Sequence, residues 1–129
     1  MSRKSKGINA ERDILHKFWA TGNWCAIRVA GSGSMKYPSP DVLASNKVRK
    51  LAIECKTCKD DKKYLSEEDI EQLRDFVDFF GGEPWIGVKF DHTDWYFLSI
   101  DDVEKSGKMY SISKEMAKNK GLLFEELIS

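Results

Sequence analysis

The apolar residues at the start of the chain recur every three to four positions and then change to strict alternation. Ala10, Ile14 and Phe18 fall on one side of a helix, which predicts an amphipathic helix over residues 8–21. Residues 1–7 carry three cations and no apolar pattern, which predicts a mobile basic arm before the helix. The chain is therefore expected to open with one helix that has a single face to bury.

Apolar and polar residues alternate in several later segments, as is typical of strands. Five segments show this pattern: residues 24–29, 39–45, 50–56, 85–90 and 95–100. Between the third and fourth, Ser66 and Asp69 have the spacing of a capping box, with Leu65 and Ile70 placed as a hydrophobic staple. A second helix is therefore predicted from Ser66 to about Phe80, where two glycines end it.

The order of these elements predicts an α/β fold with a mixed central sheet of about five strands flanked by helices. Residues 59–63 are all charged and are predicted to form a solvated loop. After residue 100 the pattern weakens to a helix start at 101–105, a strand at 109–112 and helical segments at 113–119 and 122–128. A length of 129 residues suits one domain with its own core.

The second and third strands are separated by a short polar turn and are predicted to form an antiparallel hairpin. A turn centred in that segment places Leu43 opposite Ala52 and Asp41 opposite Glu54. Lys56 lies two residues beyond Glu54 and therefore faces the same side of the sheet. The hairpin is expected to bring two carboxylates and one ammonium group to one place.

Two carboxylates about 5 Å apart repel each other by roughly 0.8 kcal/mol in water and by about 3 kcal/mol at an effective dielectric constant near 20. A sheet built only for stability avoids like charges in opposed positions. A divalent cation between the carboxylates reverses the sign of the interaction, and their oxygens suit Mg²⁺. The pattern leaves two interpretations open: a metal site, or a solvated strand end at which Lys56 neutralises Glu54.

Several motifs, in this order along the chain, resemble those of a nuclease superfamily. The segments Pro40-Asp41 and Glu54-Cys55-Lys56 are similar to the PD-(D/E)xK signature of Mg²⁺-dependent nucleases. Further matches lie at residues 7–12, 28–34, 64–65 and 79–82. Together, from about Gly7 to Ile100, they resemble the archaeal Holliday-junction resolvases, which implies a restriction-endonuclease-like fold and an endonuclease active on four-way DNA junctions.

The resemblance implies a role for each matching residue. Glu11, Asp41, Glu54 and the backbone carbonyl of Cys55 would hold Mg²⁺, for which Mn²⁺ could substitute. Lys56 would orient the attacking water or stabilise the pentacovalent phosphate. Cys55 departs from the usual motif, and it fits if its thiol faces the core and only its carbonyl serves the site.

The loop after the first strand is implied to meet the scissile phosphate. Ser32 is the expected catalytic residue there, although the longer loop leaves Ser34 as an alternative. The basic residues predicted to contact DNA are Arg3, Lys4, Lys6, Arg12, Arg28 and Lys36. Phe76 and Phe80 are implied to form the interface of a homodimer.

The net charge of zero conceals an uneven distribution along the chain. Residues 1–63 carry 14 Lys and Arg against 6 Asp and Glu, while residues 64–129 carry 7 against 15. The nuclease-like motif lies in the basic half, and a basic surface is the usual footprint of phosphate binding. Three cysteines do not make a disulfide framework, and Cys55 and Cys58 are expected on opposite strand faces, which disfavours zinc.

We therefore expect an Mg²⁺-dependent homodimeric endonuclease that resolves four-way junctions in recombination and repair. No segment predicts a membrane span or a signal peptide, so a cytoplasmic, nucleoid-associated location is expected. One alternative is another PD-(D/E)xK nuclease that acts on duplex or flap DNA. A second alternative is a non-catalytic DNA-binding scaffold, against which the intact set of Asp41, Glu54 and Lys56 argues.

Overall fold

The computed structural model of the protein describes residues 3–31 and 36–129. Their elements, in chain order, are α1 (Arg3–Ala20), β1 (Cys25–Arg28), β2 (Val42–Ser45), β3 (Lys50–Cys58), β4 (Lys62–Ser66), α2 (Glu67–Phe80), β5 (Glu83–Phe90), β6 (Trp95–Ser99), β7 (Glu104–Ser106), β8 (Met109–Ser113), α3 (Lys114–Lys120) and α4 (Phe124–Leu127). A short 3₁₀ turn, Ile100–Asp102, follows β6. None of the described helices is long and apolar enough to cross a membrane.

Five strands form the central sheet in the order β1-β2-β3-β5-β6. β3 and β5 run parallel, and the other neighbouring pairs run antiparallel. The predicted mixed five-stranded sheet is therefore confirmed. A parallel pair needs a crossover connection, and here the chain passes through β4 and α2 between the two strands.

The central sheet has a buried cluster on each face. Ile14 and Phe18 of α1 belong to one cluster together with Ile53 of β3. Leu73 of α2 belongs to the other cluster together with Ala52 of β3. Successive residues of β3 are thus buried on opposite sides, and burying an Ile, Leu or Phe side chain stabilises the fold by about 1.5–3 kcal/mol. The two layers fix β3, which carries Glu54, Cys55 and Lys56 of the nuclease-like motif.

The hairpin of β2 and β3 has the predicted register, since Leu43 pairs with Ala52. Its turn is stabilised by the side chain of Asn46, whose Oδ1 accepts hydrogen bonds from the backbone N–H groups of Val48 (3.1 Å) and Arg49 (2.8 Å). This is the local turn chemistry that an asparagine supplies. The same register, continued one residue beyond the paired segment, places Asp41 opposite Glu54.

The predicted caps of α2 are also confirmed. The side chain of Ser66 accepts a hydrogen bond from Asp69 N–H (3.0 Å), and Asp69 Oδ2 accepts one from Ser66 N–H (3.2 Å). Leu65 and Ile70 are both 1% exposed, as the staple requires. Gly81 follows the last helical residue with φ 84°, a conformation that glycine adopts without steric cost. These interactions fix where Asp69 lies relative to β3.

The N-terminal boundary predicted from the sequence was wrong. α1 begins at Arg3, so residues 3–7 extend the helix that was predicted to begin at residue 8. Arg and Lys are good helix formers, but an exposed first turn without apolar residues gives no periodic signal.

A second sheet was missed. β4, β8 and β7 form a three-stranded antiparallel sheet in that order, so part of the predicted loop at 59–63 is the start of a strand. The run of charges hid the first residues of β4, whose outer face is exposed at Lys62 and Tyr64. The helix start predicted at 101–105 proved to be the 3₁₀ turn followed by β7. The tail therefore forms a sheet and two short helices against the core.

Candidate active site

Asp41 lies immediately before β2 and is held by three hydrogen bonds. Its N–H donates to the carbonyl of Ile53 (3.1 Å), and its carbonyl accepts from the N–H of Val29 (2.8 Å). Its side-chain Oδ2 accepts from the backbone N–H of Cys55 (2.8 Å). The Asp41 carboxylate is thereby held against β3, where its side chain is hydrogen-bonded to that of Glu54. The predicted proximity of these two carboxyl groups is confirmed.

The environment of Glu54 favours its protonated form. Burial raises the pKa of Glu54 to about 10, and the hydrogen bond and charge of Asp41 act in the same direction. The charge of Lys56 opposes this shift without cancelling it. At neutral pH and without a cation, Glu54 therefore stays protonated, and its carboxyl O–H donates a hydrogen bond to the Asp41 carboxylate.

This pair fits a divalent cation by the chemistry of its donors. Two partly buried carboxyl groups that cannot both ionise beside each other would both be ionised with a dication between them. Within residues 3–31 and 36–129, no group of three or more His, Cys, Asp or Glu is arranged to hold a metal ion. Mg²⁺ commonly uses only one or two protein carboxylates and completes its shell with waters and substrate phosphates. The pair of Asp41 and Glu54 meets that requirement.

Lys56 lies on the α2 side of the pair and has a partner that the sequence analysis did not place in the site. Its Nζ is 3.4 Å from Oδ2 of Asp69, and the two side chains are 25% and 31% exposed. Asp69 was identified only as a capping residue. No signal in the sequence could have placed it here, because the contact depends on how α2 packs on β3.

Glu11 approaches the pair from α1. Its Oε1 lies 3.7 Å from an Nη of Arg28, which is on the neighbouring strand β1. Burial raises the pKa of Glu11, the charge of Asp41 raises it further, and Arg28 partly offsets both. Glu11 is therefore close enough to Asp41 to feel its charge, and its carboxylate faces Arg28.

Cys55 occupies the position expected for the middle residue of the motif. Its side chain is partly buried and packs against the cluster beneath α1. Burial raises the pKa of this thiol well above its usual value, and the neighbouring carboxylates act in the same direction. The thiol therefore stays neutral. Cys58 packs against the cluster on the opposite face, as the sequence predicted.

The predicted DNA-contacting residues are not all part of this arrangement. Arg12 and Lys36 are exposed, and Lys36 lies with its Nζ 5.9 Å from the ring centroid of Tyr37. Arg3, Lys4 and Lys6 belong to the first turns of α1, and only their backbone is described. Ser32 and Ser34 lie outside the described residues.

An apolar surface lies beside the end of α2. The rings of Phe76 and Phe80 pack with centroids 5.0 Å apart, and Phe80 remains 43% exposed next to Phe79, which is 95% exposed. Phe76 is partly buried against the core. A groove of about 360 Å³ adjoins Phe80 and is lined by Cys25, Ala26, Ile27, Leu43, Ala44, Ser45 and Lys50. This groove lies on a part of β1 and β2 that α2 does not cover.

Comparison with known protein families identifies the family of this chain. A family model described as archaeal Holliday junction resolvase (Hjc) matches residues 2–129. The chain belongs to this family. The family predicted from the ordered motifs is thereby confirmed.

Individual members of the family are similar in sequence to this chain over most of its length. The crossover junction endodeoxyribonuclease Hjc of Archaeoglobus fulgidus is 38% identical over 130 residues, which cover 95% of this chain and 95% of the relative. Its counterpart from Methanocaldococcus jannaschii is 34% identical, over 86% of this chain and 78% of the relative. A solved structure of the Archaeoglobus fulgidus resolvase superposes with a TM-score of 0.85 at 35% identity and covers 95% of this chain and 94% of the other. The nuclease fold predicted for the family is therefore the observed one.

Proposed function

We propose that this protein is an Mg²⁺-dependent endonuclease that resolves four-way DNA junctions, with Mn²⁺ as a possible substitute ion. The observation that carries the proposal is the pair of Asp41 and Glu54, which the hairpin register and the 2.8 Å bond from Cys55 N–H to Asp41 bring together, with Lys56 on the same face of β3 as Glu54. Membership of the resolvase family supports the junction as substrate. A cytoplasmic, nucleoid-associated location follows from that substrate.

Different residues of the protein would hold the ion and contact the DNA. Asp41 and Glu54 would hold the ion, with Glu11 and the carbonyl of Cys55 as further ligands. A bound divalent ion polarises the scissile phosphate and lowers the pKa of a coordinated water. Asp41 is kept in place by the N–H of Cys55, so its carboxylate is preorganised before the ion arrives. Glu54 must give up its proton when the ion binds.

The cationic groups would position the DNA strand. Lys56 lies on the face that carries Glu54 and would stabilise the charge that develops on the phosphate. Arg28 would contact the scissile strand with Ser32, or with Ser34 as the alternative, and Arg12 a neighbouring phosphate. Arg28 is presently paired with Glu11, so a phosphate would replace that partner as Glu11 turns to the ion.

A homodimer suits both the substrate and the surface. A four-way junction offers two equivalent strands, and a two-fold dimer supplies two matching sites. The groove beside Phe80 is almost wholly apolar, and Ile27, which lines it, is 59% exposed. Contiguous exposed apolar surface of this kind marks an interface. A second copy of the chain is the proposed occupant, with Phe76 and Phe80 in the interface.

Geometry, not base sequence, would select the substrate. Phosphate contacts carry no sequence information and instead register where the DNA backbones run. Two linked basic faces bind tightly only to a molecule that engages both at once. The homodimer would therefore prefer a branched junction over a linear duplex.

The test uses labelled four-way junction, flap and linear duplex of equal length, each with and without Mg²⁺ at physiological salt. We expect paired nicks in junction strands of like polarity, dependent on Mg²⁺, and little cutting of the duplex. Equal cutting of the duplex would favour a general nuclease of the same fold. Binding of the junction without cutting in any divalent ion would favour a DNA-binding scaffold.

A further inference from the structure

The side chain of Lys56 poses a positioning problem that its strand does not solve. A lysine ammonium is a compact charge on a flexible four-carbon stem with about 2 kcal/mol of rotamer entropy. A group that must meet a developing charge needs a defined location, since a misplacement of about 1 Å costs as much as 100-fold in rate. A fixed partner near the ammonium would supply that location.

We propose that Asp69 is a positioning residue that holds Lys56 in its working place. The inference rests on the proposed function, in which Lys56 acts at the scissile phosphate. The same oxygen of Asp69, Oδ2, accepts the N–H of Ser66 at 3.2 Å and lies 3.4 Å from Lys56 Nζ.

The anchor itself is rigid. Asp69 is the third residue of α2, and the reciprocal hydrogen bonds with Ser66 fix its rotamer. The next residue, Ile70, is 1% exposed, and Leu73 one turn further is 2% exposed, so this end of α2 is fastened to the core. The carboxylate therefore has one location relative to β3, and it transmits that location to Lys56.

Capping alone does not account for the charge at this position. A capping box needs only an acceptor at this position, and an amide supplies one. A negative charge here has a cost, because Asp69 repels the ionised form of Glu54. The helix dipole also favours a negative charge in the first turn, and Lys56 is the cation that the charge of Asp69 faces.

The ion pair contributes little to stability. Lys56 and Asp69 are each about a quarter to a third exposed, and pairs with this access to solvent contribute about 0–1 kcal/mol. Removing the charge while keeping the acceptor should thus leave the fold almost unchanged. An effect on cleavage would then report positioning.

The experiment compares two variants. Asp69→Asn keeps an acceptor for the backbone N–H of Ser66 and removes the charge. Ser66→Ala removes the hydroxyl that caps Asp69 N–H, but it keeps the charge and the backbone N–H that holds the Asp69 carboxylate. We would measure the single-turnover rate at saturating Mg²⁺ and junction, the junction Kd and the Tm of the full chain. Asp69→Asn should slow cleavage about tenfold with an unchanged Kd and nearly unchanged Tm. Ser66→Ala should lower the Tm and cleave within about twofold of the wild-type rate.

A second pair of variants guards against a loss of folding. Asp69→Glu and Asp69→Gln both retain a capping acceptor of the kind favoured at this position, and they differ only in charge. The Glu variant should cleave several-fold faster than the Gln variant. In a Lys56→Ala background the two should cleave alike, because the group to be positioned is gone.

The possible outcomes distinguish a failure of the proposed function from a failure of the role of Asp69. Wild-type protein that does not cut the junction would refute the proposed function and this inference with it. Wild-type protein that cuts, with equal rates for Asp69→Glu and Asp69→Gln, would overturn only the role of Asp69. A persistent Glu-to-Gln difference without Lys56 would likewise overturn it, since the charge would then act on something else.

Discussion

Replacement of Glu54 by glutamine should abolish cleavage and stabilise the metal-free protein. Burial beside Asp41 raises the pKa of Glu54 to about 10, while the unfolded chain has the ordinary value of 4.5. At pH 7 folding must therefore add a proton to a carboxyl group that is ionised when unfolded. Glutamine has the shape of the protonated acid and can donate to Asp41 without taking up a proton.

The size of the effect follows from the pH. Protonation costs about 1.4 kcal/mol for each pH unit above the unfolded pKa, and pH 7 lies 2.5 units above 4.5, so the cost is about 3 kcal/mol. The folded pKa is raised, so the stability that the protonated group contributes is complete below pH 4.5 and declines as the pH approaches 10. The gap between Glu54→Gln and wild type should therefore be near zero at pH 4.5 and should widen with pH.

The assay is guanidinium unfolding at pH 5, 7 and 8 in EDTA, then at pH 7 with Mg²⁺. At pH 7 the variant should gain about 3 kcal/mol, or roughly 10 °C in Tm for a chain of this size. Mg²⁺ should stabilise the wild type more than the variant. Glu71→Gln, at an exposed position of α2, is the control. A variant no more stable than wild type at pH 7, or a gap that does not change with pH, would refute the reasoning.

Three further predictions concern other parts of the molecule. Phe76→Glu combined with Phe80→Glu should give monomers by light scattering, because each copy would place unpaired charges in an apolar interface; an unchanged dimer would exclude this surface. Deletion of residues 2–6 removes three cations and should lower the salt-dependence slope of junction binding by about 2.7, at 0.9 per phosphate contact; an unaltered slope would mean that these cations do not touch DNA. Arg49→Ala should lower the free energy of unfolding by about 1–2 kcal/mol. It removes two 2.8 Å hydrogen bonds to the partly exposed Glu83 and a 2.6 Å hydrogen bond to a carbonyl of α4. A loss below about 0.5 kcal/mol would contradict this prediction.

The sequence was sufficient for the parts of the site that depend on local pairing. The proximity of Asp41 and Glu54 follows from one hairpin register, and the register follows from the turn and from alternation. The limits of α2 follow from Ser66 and from two glycines. Such features depend on residues close together in the chain.

Features set by tertiary contacts could not be read in the same way. The pairing of β4 with β8 joins residues about fifty positions apart, and neither strand has a strong pattern of its own. The contact between Lys56 and Asp69 depends on how α2 packs over β3, which periodicity does not reveal. The helical start at Arg3 has no apolar stripe to mark it.

The attachment of Asp41 has a mechanical consequence. Its N–H, its carbonyl and one carboxylate oxygen are bonded to Ile53, Val29 and Cys55, so it is anchored to two neighbouring segments at once. The two backbone bonds hold the main chain of Asp41, and the third bond holds its carboxylate directly. Asp41 is therefore fixed to two strand segments by its own bonds, and its carboxylate keeps its register with β3 independently of the residues that precede it.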